Sequence, residues 1–157
     1  MKLARRALFG IGVMVCILIA LALLWSAGVS ARAPTVVAHV AHQNGHAANN
    51  YTVFYASTPE ERDEGLMNFT NFDSAGIVGE YFAFNSTNSQ QQCFWMKDTP
   101  IPLVQAWLSE NGTVSFIYNG TPESTQSVCE GGAAVLELDS NLRIPLSVGD
   151  VVSVYRG

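Results

Sequence analysis

Ala7 through Val29 is a run of 23 residues without a single charge. At a rise of about 1.5 Å per residue, a helix of that length crosses the hydrocarbon core of a bilayer. No other feature constrains the chain as much, because it withdraws residues 1–29 from any water-soluble fold. Lys2, Arg5 and Arg6 precede the run, and only Arg32 follows closely. Positive charge stays on the cytoplasmic side, so residues 30–157 are expected outside the membrane. A cleaved signal peptide is the alternative, since Val29-Ser30-Ala31 offers small residues for cleavage. The usual apolar region of such a peptide is about 7–15 residues, and the greater length here favours an anchor. Cys16 follows Val15 and is continued by more apolar sequence, so it reads as a membrane-buried cysteine rather than a lipid-attachment site.

The remainder is acidic. Arg32, Arg62, Lys97, Arg143 and Arg156 stand against all 13 carboxylates, a net charge of −8. Such a surface disfavours nucleic acid and anionic lipid as partners. An exterior location has independent support from Asn-x-Ser/Thr sequons at Asn50, Asn68, Asn85, Asn111 and Asn119. Chance placement of 10 Asn among 157 residues containing 22 Ser and Thr gives about 1.4. Asn111-Gly112 and Asn119-Gly120 also read as tight-turn chemistry, which equally places them at the surface. Two cysteines lie beyond the apolar run, Cys93 and Cys129. An oxidising compartment and an even count favour a disulfide over a thiol site.

Residues 30–49 read as a flexible tether, rich in Ala, Val, His, Asn and Gly. His39, His42 and His46 have helical spacing that could present a metal, but Gly45 and the paired asparagines weaken a helix, and a solvated linker is the preferred reading. Residues 51–157 form one β-rich domain of ordinary size. Tyr51–Ala56 alternates as a strand. Thr58-Pro59-Glu60-Glu61 begins a helix, with Thr58 as cap, Pro59 at the first position and Glu61 closing a capping box; Asn68 is expected to end it. Further strands are expected at 81–84, 93–96, 103–109, 113–119, 133–139, 142–146 and 151–155. Short strands, frequent turns and one helix indicate a mainly β fold, a small sandwich or barrel-like domain with the helix packed on it.

Cys93-Phe94-Trp95-Met96-Lys97-Asp98-Thr99-Pro100-Ile101-Pro102-Leu103 concentrates unlike chemistry in eleven residues. The segment resembles the F-W-M-K-N-T-x-I-P-L-D signature of the domain of unknown function 192 family. Glu61-Arg62-Asp63-Glu64-Gly65-Leu66-Met67 is similar to that family's E-R-x-x-G-L-M element. Val135-Leu136-Glu137-Leu138 resembles its V-L-E-L strand, and Gly149-Asp150-Val151-Val152 its G-D-x-V turn. Four elements in family order span most of residues 51–155. Asp98 stands where the family has asparagine, and Val104 where it has aspartate. The resemblance implies a small, mainly β fold, often behind a signal or anchor, and no accepted activity.

Five residues are candidates for binding. Arg62 sits on the helix beside Leu66, where its stem can pack and its head can seek a carboxylate. Glu137, turned away from Leu136 and Leu138, is its expected partner in a structural ion pair; anion binding by Arg62 is the alternative. Trp95 and Lys97 alternate onto one face, opposite Phe94 and Met96, and with Asp98 could form an amphipathic rim stiffened by Pro100 and Pro102. The plainer reading makes Trp95 core and Lys97 solvated. Met67, Met96 and Cys93 could hold Cu(I), yet methionine is more often a core filler and Cys93 is expected oxidised. No metal or cofactor is therefore expected. With every histidine in the tether, no catalytic Ser–His or Cys–His pair is expected in the domain. The expected function is a membrane-tethered extracytoplasmic domain binding a surface protein or glycan. The alternative is a hydrolase of cell-surface polymer using Asp98 and Glu137; an open polar cleft joining them with Arg62 would favour it.

Overall fold

The computed structural model of the chain describes residues 32–72, 76–84 and 90–155. The expected membrane helix or signal, Cys16 and the sequon at Asn85 lie outside the described residues. Among the described residues no helix is long and apolar enough to cross a membrane.

The chain runs β1 (Thr35–Ala41), β2 (Asn49–Ala56), α1 (Pro59–Glu64), β3 (Ile77–Ala83), β4 (Gln91–Phe94), β5 (Leu103–Leu108), β6 (Val114–Gly120), β7 (Val128–Gly131), β8 (Ala134–Asp139) and β9 (Val151–Tyr155). Seven strands form one sheet in the order β6-β5-β8-β3-β2-β1-β9, and β4 pairs with β7 in a separate ribbon. The fold is mainly β and mixed. β2 and β3 are parallel, joined by the crossover that carries α1, while the neighbouring pairings β1–β2 and β3–β8 are antiparallel. The large sheet curls until its two edges approach. Thr113 bridges Val151, and the Val152 N–H donates to the Gly112 carbonyl at 2.9 Å. A Cβ on Gly112 would lie 2.2 Å from the Val152 carbonyl oxygen, so this approach requires glycine. One bridge is not a ladder, and the expected sandwich or barrel is corrected to a curled open sheet with a two-stranded ribbon.

The two faces of the sheet bury different partners. One carries the larger core, including Val36, Val40, Val53, Leu108, Leu136 and Val152. The other carries Phe54, Leu103, Phe82, Trp107 and Val135, packed with Leu66, Met96 and Ile101 from the covering segments. The Trp107 indole N–H donates to the Gln92 carbonyl at 2.9 Å, fastening the β4–β7 ribbon over that second face.

Four other expectations change. The supposed tether contains β1, which pairs with β2 on one side and β9 on the other. Its alternation was present, since Val36, Ala38 and Val40 are buried between half-buried neighbours, but alanine and histidine diluted the signal. The strand expected at 142–146 is absent; a 3-10 turn at Ser140–Leu142 ends with Arg143 left-handed at φ 49°. Pro145 lacks the N–H that a ladder would need. β7 was not anticipated, because Val128–Gly131 is short and flanked by polar residues. The helix start is as expected: the Glu61 N–H donates to Thr58 Oγ1 at 3.2 Å, and the Thr58 N–H donates to Glu61 Oε2 at 2.8 Å. It ends at Glu64, earlier than Asn68, because Gly65 at φ 49° leaves the helix.

Candidate functional site

α1 and the ribbon stand on either side of a cleft of about 410 Å³. Leu66, Phe82, Phe84, Phe94 and Trp95 supply its apolar wall, and Arg62, Asp63, Glu64, Thr99 and Glu137 its polar groups. Phe94 is set by aromatic contacts, edge-on to Phe82 at 4.9 Å and to Trp107 at 5.7 Å.

Glu137 is the distinctive residue. It projects from the centre of the sheet, with Glu80 opposite it on β3 and Gln105 opposite it on β5. It is only 4 % exposed. Gln105 Nε2 donates to Glu137 Oε1 at 2.7 Å, the residue's one hydrogen bond among the described residues, and Oε2 is left to the cleft. Burial pushes the Glu137 carboxyl up to about 7, and the Gln105 hydrogen bond reverses only part of that rise. A carboxyl so placed carries its proton near neutral pH, or gives it up when a cation replaces it.

Arg62 does not pair with Glu137. Its Nη1 donates to the Ser57 carbonyl at 2.6 Å and the Ala83 carbonyl at 3.1 Å, and its guanidinium lies 5.2 Å from the Phe84 ring centroid. The expected ion pair is thereby corrected. The end of α1 meets carbonyls left by β2 and β3 before it meets the carboxylate. Arg62 still ties helix to sheet, through the backbone.

The expected rim is split. Trp95 walls the cleft and is 48 % exposed. Met96, behind it, is 1 % exposed and packs against Gly120, where a Cβ would lie 2.5 Å from Met96 Sδ. Asn119-Gly120 is therefore a strand end pressed by Met96 rather than a turn. Lys97 Nζ lies 5.3 Å from the Trp95 ring centroid and 3.8 Å from Asp98 Oδ2. Neither Lys97 nor Asp98 is among the cleft-lining residues. Asp98 instead has φ 54°, and its carbonyl accepts the Asn68 N–H at 2.6 Å. Asparagine and aspartate are the side chains that best tolerate this left-handed conformation, which accounts for both residue types at the position. Val104 lies on the opposite face of β5 from Gln105.

Cys93 and Cys129 face each other across the ribbon and are disulfide-bonded, with Cα atoms 4.0 Å apart. Asn50, Asn68, Asn111 and Asn119 are exposed. Asn111 Oδ1 accepts the Thr113 N–H at 3.1 Å, as turn chemistry requires, whereas Asn50 Oδ1 is bonded to His39 and Tyr155.

Sequence reasoning missed two polar groups. Gln105 is fully buried within an apolar strand, and a lone amide among Leu103, Val104, Ala106 and Trp107 was the available signal. His42 belongs to the domain, not to a linker. Its Nδ1 is 2.8 Å from Asp150 Oδ2, and both side chains are buried. Asp150 also accepts the N–H groups of Gln43 and Ser147. Burial raises the Asp150 carboxyl, but its hydrogen bonds from His42, Ser147 and Gln43 outweigh this and hold it below the usual range. This cluster locks the end of β1 to the start of β9.

A candidate transcription regulator from Sinorhizobium meliloti 1021 has a similar structure, with TM-score 0.69 and 27% identity over 80% of this chain and 97% of that one. A protein of unknown function from Novosphingobium aromaticivorans DSM 12444 is similar at TM-score 0.68 and 26% identity, over 80% of this chain and 89% of that one. No curated protein matches the chain. The profile of the DUF192 family, described as "Uncharacterized ACR", matches residues 39–154, and the chain belongs to that family.

Proposed function

We propose that this chain is a membrane-tethered extracytoplasmic domain that binds a ring-bearing end group of a cell-surface glycan in the cleft between α1 and β4. The observation that carries the reading is the cleft itself, about 410 Å³ with aromatic side chains on its wall and the Glu137 carboxyl in its lining. Concave, mostly apolar sites with a few convergent polar groups are the usual form of small-ligand pockets. A sugar ring has an apolar face for Phe94 and Trp95 and hydroxyls for a carboxyl. The location rests on the uncharged run from Ala7 to Val29 and the charge before it. A role in transcription regulation is not carried over from the Sinorhizobium neighbour, since a net charge of −8 beyond the apolar run opposes contact with nucleic-acid phosphate.

Hydrolysis is a second reading, favoured by one observation: a cleft carboxyl pushed up to about 7 is suited to general acid or base work. It keeps Glu137 and loses Asp98, which is not a lining residue.

Glycan fragments released from the cell surface should shift the backbone resonances of Phe94, Trp95 and Glu137. Leu142 and Val148, exposed elsewhere, should not move. If no fragment moves the cleft resonances, the binding reading fails. If fragments are cleaved by the protein and spared by Glu137→Gln, hydrolysis replaces it.

A further inference from the structure

The geometry points to a ligand that carries a protonated amine, which the cleft would seat with the ammonium on Glu137 Oε2 and the carbon skeleton against Phe84, Phe94 and Trp95. This inference rests on the cleft being the binding site and names the chemistry it selects.

The balance of charge lining the cleft is the first argument. Asp63, Glu64 and Glu137 contribute carboxyl groups, against Arg62 as cation. Arg62 is already turned to the Ser57 and Ala83 carbonyls and to the Phe84 ring. An anionic ligand would therefore meet three acids and a guanidinium already engaged. Aromatic faces attract cations through their quadrupole, and ammonium recognition commonly uses that attraction. The Lys97 amine over the Trp95 ring shows such a contact within this chain.

The second argument is independent of net charge. Glu137 is more than nine-tenths buried, and its one hydrogen bond among the described residues occupies Oε1. Oε2 is not among the buried unpaired oxygens and opens on the cleft, where a donor from solvent or from a ligand can reach it. Glu80 faces Glu137 from β3 and Gln105 faces it from β5, while Arg62, Asp63 and Glu64 of α1 line the same cleft. Gln105 already gives its amide N–H. At Oε2 a ligand ammonium can take the place of solvent, giving an N–H donor together with a charge opposite to the carboxylate.

The proton balance follows. In the empty cleft near pH 6 the carboxyl holds a proton. Binding an ammonium requires the carboxylate, so one proton leaves to solvent as the ligand enters. Amine and proton compete for one site.

Cyclohexylammonium and its neutral counterpart cyclohexanol serve as probes, titrated into the full-length chain in detergent and read by NMR shifts at Phe94, Trp95 and Glu137. The ammonium should bind more tightly than the alcohol, and its affinity should fall roughly 25-fold from pH 7.5 to pH 5.5 for a carboxyl titrating at about 7. The alcohol's affinity should be flat. Glu137→Gln should remove the pH dependence and the preference for the ammonium, with far-ultraviolet circular dichroism confirming the fold. Should that variant not fold, Asp63→Asn, on the exposed side of α1, is the second test, and it should weaken the ammonium alone. Equal binding of both probes, or an ammonium affinity independent of pH, overturns the amine inference and leaves the cleft reading standing. If neither probe shifts the cleft resonances, both fall.

Discussion

Glu137→Gln separates the stability of this fold from its proton. The carboxyl titrates at about 7 when folded, against an ordinary value of 4.5 for an exposed glutamate. A raised folded pKa means that the folded state holds the proton more tightly. Its stabilising effect is complete below the unfolded value and is lost as pH rises through the folded one. The loss spans about pH 4.5 to 7. At 1.36 kcal/mol per unit, linkage gives a penalty of about 1 kcal/mol at pH 5 and about 3 kcal/mol at pH 8, a change of about 2–3 kcal/mol. Glutamine cannot ionise and keeps the shape of the side chain. Other titrating groups contribute equally to both proteins and cancel in the difference. Urea denaturation of wild type and Glu137→Gln at pH 5 and pH 8 measures it directly. The variant should gain on the wild type by about 2–3 kcal/mol between the two conditions. A difference that stays constant with pH would show that Glu137 ionises in the fold as readily as in the unfolded chain, and the argument from burial would be refuted.

Arg62→Ala should destabilise by about 1–3 kcal/mol through the loss of two hydrogen bonds to backbone carbonyls, and in a cycle with Glu137→Gln the two effects should add, because the side chains do not pair. Asp150→Ala should cost about 2–4 kcal/mol in thermal or urea unfolding, since it strands the Gln43 and Ser147 N–H groups and buried His42. The Asp150 carboxyl is held low, so its contribution is present above the unfolded pKa and is lost as pH falls; acid unfolding of the variant should show a weaker dependence on pH than the wild type. Mass mapping of the non-reduced protein should find Cys93 joined to Cys129, and reduction of that 36-residue closure should cost about 4 kcal/mol by the chain-entropy argument. Protease added to intact cells should remove residues 30–157, and protection that is lost on lysis would overturn the exterior location.

Local chemistry was legible in the amino-acid sequence alone. The Thr58–Glu61 capping box lies within one helical turn, so four consecutive residues specify it. The hairpin at Asn111-Gly112 and the strands β2, β5, β6, β8 and β9 were legible for the same reason, since alternation and turn residues act between neighbours. Alternation also placed Glu137 away from Leu136 and Leu138, and Trp95 with Lys97 away from Met96. What failed was partner choice across the chain. β1 was missed because its stability comes from β2 and β9 on either side rather than from its own Ala and His residues. His42 and Asp150 meet across 108 positions of sequence, and nothing local to either announces the other. Arg62 was expected on Glu137 because complementary charge can be read from residue type, whereas the reach of a side chain to the Ser57 and Ala83 carbonyls cannot. Residue type alone determined that a carboxyl stands at position 137. Tertiary structure decided that it is buried beside Gln105 in the lining of a cleft, and burial, not sequence, moves its proton to about pH 7, because only the folded sheet excludes the water that would solvate the charge.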